Sequence, residues 1–111
     1  MSDDGIEVEH EPERSRFVLC DGEKEIGEER YLDTGSGERI LFHTVVSEEY
    51  SGRGLAGRLV QEAVEVTIAD ALAVVPVCPY VRAWLPRHPE YAAHVVEPTP
   101  EHFARLGQEH S

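Results

Sequence analysis

Basic residues are scarce in this chain: ten Lys and Arg stand against 22 Asp and Glu, a formal net charge of −12 over 111 residues. Lys24 is the only lysine. A protein that grips nucleic acid through its phosphates needs the opposite balance, so that class is disfavoured. Long apolar runs are missing too. No stretch nears the ~20 residues of a membrane-spanning helix, and the opening MSDDGIEVEHEPER has no hydrophobic segment of the secretory kind. Cysteine is limited to Cys20 and Cys78, which match no metal spacing. With no export signal, both are expected as free thiols of a cytoplasmic protein. Repeats, low-complexity tracts and linkers are absent, so the chain fits one domain with one modest core.

The charge that is present is uneven. Residues 1–50 carry 15 acids against 5 bases, whereas residues 51–111 carry 7 against 5. An acidic shell favours solubility, and it raises the local concentration of cationic partners such as amines.

Short alternating runs fill the first half of the chain. Ile6 and Val8 alternate with Glu7 and Glu9 in an edge-like strand that ends at Pro12. Arg16 to Cys20 is a second strand, and Asp21-Gly22 is a hairpin turn signal. Glu25 to Leu32 is a third, with Ile26 and Tyr31 as core contributors, and Glu38 to Val46 a fourth. Such close spacing predicts antiparallel neighbours. Leu55, Leu59, Ala63 and Val66 then recur at helical spacing, predicting a helix to about Asp70. Ala73 to Cys78 reads as a buried strand in which Pro76 marks an edge or bulge. Pro79, Pro89 and Pro100 each open a short helix, the last ending at Gly107; residues 1–4 are expected to fray, and His94 and His102 to lie on the surface.

Between the fourth strand and the helix lies the most informative stretch, ILFHTVVSEEYSGRGLAG from Ile40 to Gly57. Glycines bare the backbone amides, and a helix start adds unpaired donors and a partial positive charge. Together they suit a phosphate or pyrophosphate. Gly52 to Gly57 fits G-x-G-x-x-G, and Asp70 lies where a ribose-binding acid would fall, which taken alone suggests a dinucleotide fold. The context opposes it, because five residues separate Val46 from Gly52 and no crossover helices precede the motif. A phosphate-loop NTPase fails as well, since Arg58-Leu59 replaces its lysine and hydroxyl.

Ser51-Gly52-Arg53-Gly54-Leu55-Ala56 resembles the Q/R-x-x-G-x-G/A turn of the GNAT superfamily of acetyl-coenzyme A-dependent N-acetyltransferases, with Ser51 where Gln or Arg is usual. His43-Thr44, Gly52 to Ala56, Cys78-Pro79-Tyr80 and His88-Pro89-Glu90-Tyr91, in that order, are similar to its compact, single-domain YjdJ-type branch. The resemblance spans roughly residues 5–96. It implies an α/β (α+β) domain over residues 1–97, with a mostly antiparallel sheet of about five strands and a central CoA-binding helix, followed by a tail over 98–111.

It also implies acetyl transfer to a primary amine, a small molecule or a peptide, by direct attack on the thioester, in a monomer or weak homodimer. The backbone of Val45 and Val46 would pair with the pantetheine arm like an added strand. Ser51, Gly52, Arg53, Gly54, Leu55 and Ala56 would cradle the pyrophosphate, with charge from Arg53 and Arg58. Some relatives carry a Glu at the place of Val45, and its loss leaves the general base open. His43 is one candidate, since imidazole titrates near neutrality, and alternation puts it on the face of Val45 and opposite Val46. A packed strand histidine is the plainer alternative. Cys78 is an acid toward the departing thiolate, a transient acetyl carrier, or a small core residue. Tyr80 and Tyr91 are candidate proton donors to the leaving group. His88 and Tyr91 are otherwise cap and core, or line the channel near the thiol end of the coenzyme. The rival reading is a CoA- or acyl-CoA-binding module without catalysis.

Overall fold

The computed structural model describes residues 5–110, with side chains through residue 108; the expected fraying of residues 1–4 lies outside them. Five strands form one sheet in sequence order: β1 (Ile6–Glu11), β2 (Arg16–Asp21), β3 (Lys24–Asp33), β4 (Glu38–Val46) and β5 (Ala73–Pro76). The first four form an antiparallel meander, and β5 joins β4 in parallel. The parallel pair is allowed because α1 (Leu55–Ala69) supplies the crossover. α2 (Pro79–Trp84), two 3-10 segments and α3 (Pro100–His110) complete the chain. No helix among the described residues is long and apolar enough to cross a membrane.

Two irregularities shape the sheet. Leu19 pairs with Gly27 but Cys20 with Glu25, so Ile26 is an extra residue in β3. Arg30 pairs with His43 but Tyr31 with Leu41, so Phe42 is an extra residue in β4. The first bulge explains how Ile26 and Tyr31, five apart, both reach the core under α1. Phe17, Leu19, Leu41, Leu59, Ala63 and Val64 pack with them, all fully buried. Gly27 sits where β4 comes closest: a Cβ there would lie 2.7 Å from the Val45 carbonyl oxygen.

The β-branched end of α1 holds because packing overrides propensity. Val60, Ala63 and Val64 are buried, and the Thr67 hydroxyl donates back to the Ala63 carbonyl at 2.8 Å. The helix ends with Ala71 at φ +62°, where Leu72 N–H reaches the Thr67 carbonyl at 3.0 Å.

Three expectations need correction. β5 stops at Pro76 rather than Cys78, because Val77 and Cys78 both turn their N–H groups onto the Leu41 carbonyl, each at 3.0 Å. α3 runs through Gly107 to His110, since glycine lowers but does not abolish helix formation. His102 is not a surface residue; it is 6 % exposed. Its Nε2 lies 2.8 Å from Glu38 Oε1 while Nδ1 accepts the Thr99 N–H at 2.9 Å, which docks α3 against β4. His94 is exposed.

Candidate active site

The site is a gap in the sheet. β4 and β5 pair from Glu38 to Leu41 against Ala73 to Pro76, and then part. Pro76 has no N–H to continue the ladder, and Pro79 turns the chain into α2. Beyond Leu41 the ladder of β4 with β5 ends, while its ladder with β3 continues to Val46. Ser47 N–H donates to the Ile26 carbonyl at 2.7 Å, which sets the ladder's parity. Val45 and His43 therefore direct their backbone groups to β3, and Thr44 and Val46 direct theirs into the gap. Of the two valines, Val46 offers the backbone edge; Val45 is spent on β3.

At the mouth of the gap the chain turns through a 3-10 segment, Glu48–Tyr50, into α1. Gly52 and Gly54 adopt φ +80° and +72°, with open space where a Cβ would stand. The first closed bond of α1 is Arg58 N–H to the Gly54 carbonyl at 3.3 Å. Among the described residues no protein carbonyl takes the N–H of Gly52, Gly54, Leu55 or Ala56, as expected for glycine turns and first helical turns. The first turn carries no acidic side chain. Ser51 differs, since its N–H already binds the Glu48 carbonyl at 3.1 Å. Tyr50 braces the turn: its hydroxyl donates to Asp21 Oδ2 at 2.6 Å, and the Arg53 guanidinium lies 5.2 Å from its ring centre. Arg58 gives one N–H to the Ile6 carbonyl at 3.1 Å, tying α1 to β1.

Cys78 closes the far end of the gap, 5 % exposed. Thr44 faces it from β4, with Oγ1 3.1 Å from the Cys78 Sγ. The same hydroxyl donates to Oε1 of Glu29, a wholly buried carboxyl on β3. Burial pushes the Glu29 carboxyl up to about 8, with the like charge of Glu28 adding to it and the Thr44 hydroxyl and His43 backbone N–H pulling the other way. Sequence reasoning missed both Glu29 and Thr44. The available signal was parity: Glu29 alternates with Tyr31 and so falls on the apolar face of β3.

The other candidates separate. His43 stands half-exposed on the outer face with Val45, its Nε2 4.0 Å from Glu28 Oε2, across the strand from Thr44 and Cys78. Tyr80, 42 % exposed, leans on α1, where a Cβ on Gly57 would lie 3.7 Å from its hydroxyl. Tyr91 and His88 belong to a ring stack on Trp84: His88 lies 3.7 Å from its indole, and Tyr91 5.8 Å. Asp70, the residue that suited a ribose, instead pairs with Arg39 at 3.2 Å.

Among the described residues an open strand edge leads to bare amides at a helix start in an α/β fold, and residues 16–95 match the family model of the GCN5-related N-acetyl-transferases. The chain belongs to that family. Its fold is similar to the NMR structure of a GCN5-like protein from Staphylococcus aureus, with TM-score 0.66 and 22 % identity over 88 % of this chain and 95 % of that one. A GNAT-family protein from Streptococcus pneumoniae aligns over 55 % of this chain and 46 % of its own, with 21 % identity and TM-score 0.46. No curated protein matches the chain in sequence.

Proposed function

We propose that the protein binds acetyl-coenzyme A along the open β4 edge and transfers its acetyl group to a primary amine. The observation that carries this reading is the continuity of two backbone surfaces left open among the described residues: the gap-facing groups of Thr44 and Val46, and the amides of Gly52, Gly54, Leu55 and Ala56. The second surface suits a diphosphate; the first suits an amide-bearing arm added as a strand. When bound, the coenzyme supplies an acetyl group activated as a thioester. Gly52, Gly54, Leu55 and Ala56 hold the phosphates, with the Arg53 charge beside them. The Val46 N–H is aimed to polarise a carbonyl lying in the gap.

Cys78 is the thiol at the closed end, and Tyr80 the phenol near the helix start; these are the candidate proton donors. His43, on the outer face, is the candidate base toward an amine arriving from solvent. The acidic surface favours a cationic acceptor. Within the family, the four ordered motifs favour the compact YjdJ-type branch.

Calorimetry with acetyl-coenzyme A, followed by thiol release across an amine panel, tests this. Saturable heat with amine-dependent release supports it. Heat with no release for any amine leaves a coenzyme-binding module, and no heat at millimolar coenzyme removes the reading.

A further inference from the structure

One buried acid lies next to the site and takes part in no ion pair among the described residues. Glu29 is 0 % exposed, on the α1 side of the sheet. Its Oε1 accepts from the Thr44 hydroxyl, which in turn meets the Cys78 thiol at 3.1 Å. Its Oε2 is buried and has no hydrogen-bond partner among the described residues. A buried carboxyl left half-satisfied is costly, and the core residues that pack on the same face, Phe17, Tyr31 and Leu41, show that the layer accepts apolar side chains. The charged group that acts on it is Glu28, of like sign; Thr44 faces it from β4 and Cys78 lies beyond Thr44, at the end of β5.

We propose that Glu29 is the proton reservoir of the site, exchanging a proton with the Cys78 thiol through the Thr44 hydroxyl. The Cys78 S–H bond breaks as its proton passes to a departing thiolate. With Glu29 protonated, its O–H donates to Thr44 Oγ1 and the Thr44 O–H turns to the Cys78 Sγ, the reverse of the arrangement with an ionised carboxylate. The Thr44 O–H bond then breaks as its proton replaces the one lost from Sγ, and the Glu29 O–H breaks as Thr44 regains its own. One proton leaves, one carboxylate remains, and no electrons change hands. The attacking amine gives its proton to water, and water recharges Glu29 along the same chain in reverse. A carboxyl held near 8 keeps its proton at neutral pH and so has one to give. The inference rests on the reading of Cys78 as the thiol at the closed end of the gap. Glu29 acts through Thr44 and is a positioning residue.

The test is a pH titration of the Cys78 Cβ resonance in the full chain carrying Cys20→Ser, labelled with [3-13C]cysteine and free of coenzyme. The expected curve has two steps, because the thiol and Glu29 titrate as a coupled pair. Glu29→Gln and Thr44→Val each reduce it to one step, while Thr44→Ser keeps both. If Glu29→Gln does not fold, the two Thr44 variants decide. A parent curve that neither Glu29→Gln nor Thr44→Val alters overturns the proposal, as does Thr44→Ser behaving like Thr44→Val. In turnover, Glu29→Gln lowers kcat on the order of 10²-fold with KM for acetyl-coenzyme A unchanged. It also removes the inflection near pH 8 that Glu29 imposes; a profile that keeps the inflection overturns the catalytic half. Coupled titration in a protein that transfers no acetyl group refutes the function proposed above and leaves the coupling standing.

Discussion

The Tyr91 hydroxyl donates a 2.6 Å hydrogen bond to Glu65 Oε2 on α1, which lowers the pKa of that carboxyl and raises that of the phenol. Glu65 is ten residues past Leu55, about 15 Å along the helix axis from the glycine turn. Tyr91 is thus a strut between the segment after α2 and the flank of α1. Tyr91→Phe is expected to keep thiol release within about twofold and to cost at most about 1 kcal/mol, as the bond is solvent-exposed. Tyr80→Phe, beside the turn, is expected to lower kcat by at least about tenfold. Steady-state kinetics of the two variants decide which phenol serves the reaction.

The glycines near α1 differ in what they require. Gly54 and Gly52 have positive φ with open space around them, so alanine meets strain and no clash. Each substitution is expected to cost about 1–2 kcal/mol and to weaken coenzyme binding by reshaping the amides. At Gly57, φ lies outside the left-handed region and a Cβ would meet Trp84 Nε1 at an ordinary 3.5 Å. Gly57→Ala is expected to stabilise by up to about 1 kcal/mol through helix propensity. Ala71→Gly relieves a left-handed alanine at φ +62° and is expected to stabilise by about 1 kcal/mol. Urea denaturation measures all four.

Glu29 also sets a pH dependence of stability. Its folded pKa of about 8 lies above the reference value of 4.5. Between those values the native state retains a proton that the unfolded chain has lost, so stability falls as pH rises through the window and levels off above it. Glu29→Gln removes the effect. Denaturation at pH 5, 7 and 8.5 is expected to show a decline of a few kcal/mol in the parent that is absent in Glu29→Gln.

His102 carries the docking of α3. The Thr99 N–H donates to Nδ1, so the proton sits on Nε2 and points at Glu38. Arg105 adds a bond to the Thr34 carbonyl at 3.1 Å. His102→Ala is expected to cost about 1.5–3 kcal/mol, the range for hydrogen bonds to charged groups. Hydrogen exchange should then quicken across α3 first, with β1 to β3 unaffected.

Local pattern made much of this architecture legible. Alternation and the Asp21-Gly22 turn signal gave the meander, and Leu55, Leu59 and Ala63 gave α1 with its core face. The spacing of Gly52 and Gly54 ahead of that helix marked the turn, because bare amides and positive φ are properties of a few adjacent residues. Ring packing at His88 and Tyr91 was harder to read, since both depend on Trp84 and Glu65 from other elements.

By itself the sequence determined the order of the elements, the buried face of α1 and the chemistry of the glycine turn, all set by neighbours within a few residues. Tertiary structure alone decided that β4 and β5 part after Leu41, that an extra residue at Phe42 shifts the register of β4 against β3, and that Glu29, Thr44 and Cys78 meet. Those three residues lie on three different strands or strand ends. Register and bulges between strands bring them together, and register is a relation between distant segments that no local periodicity encodes.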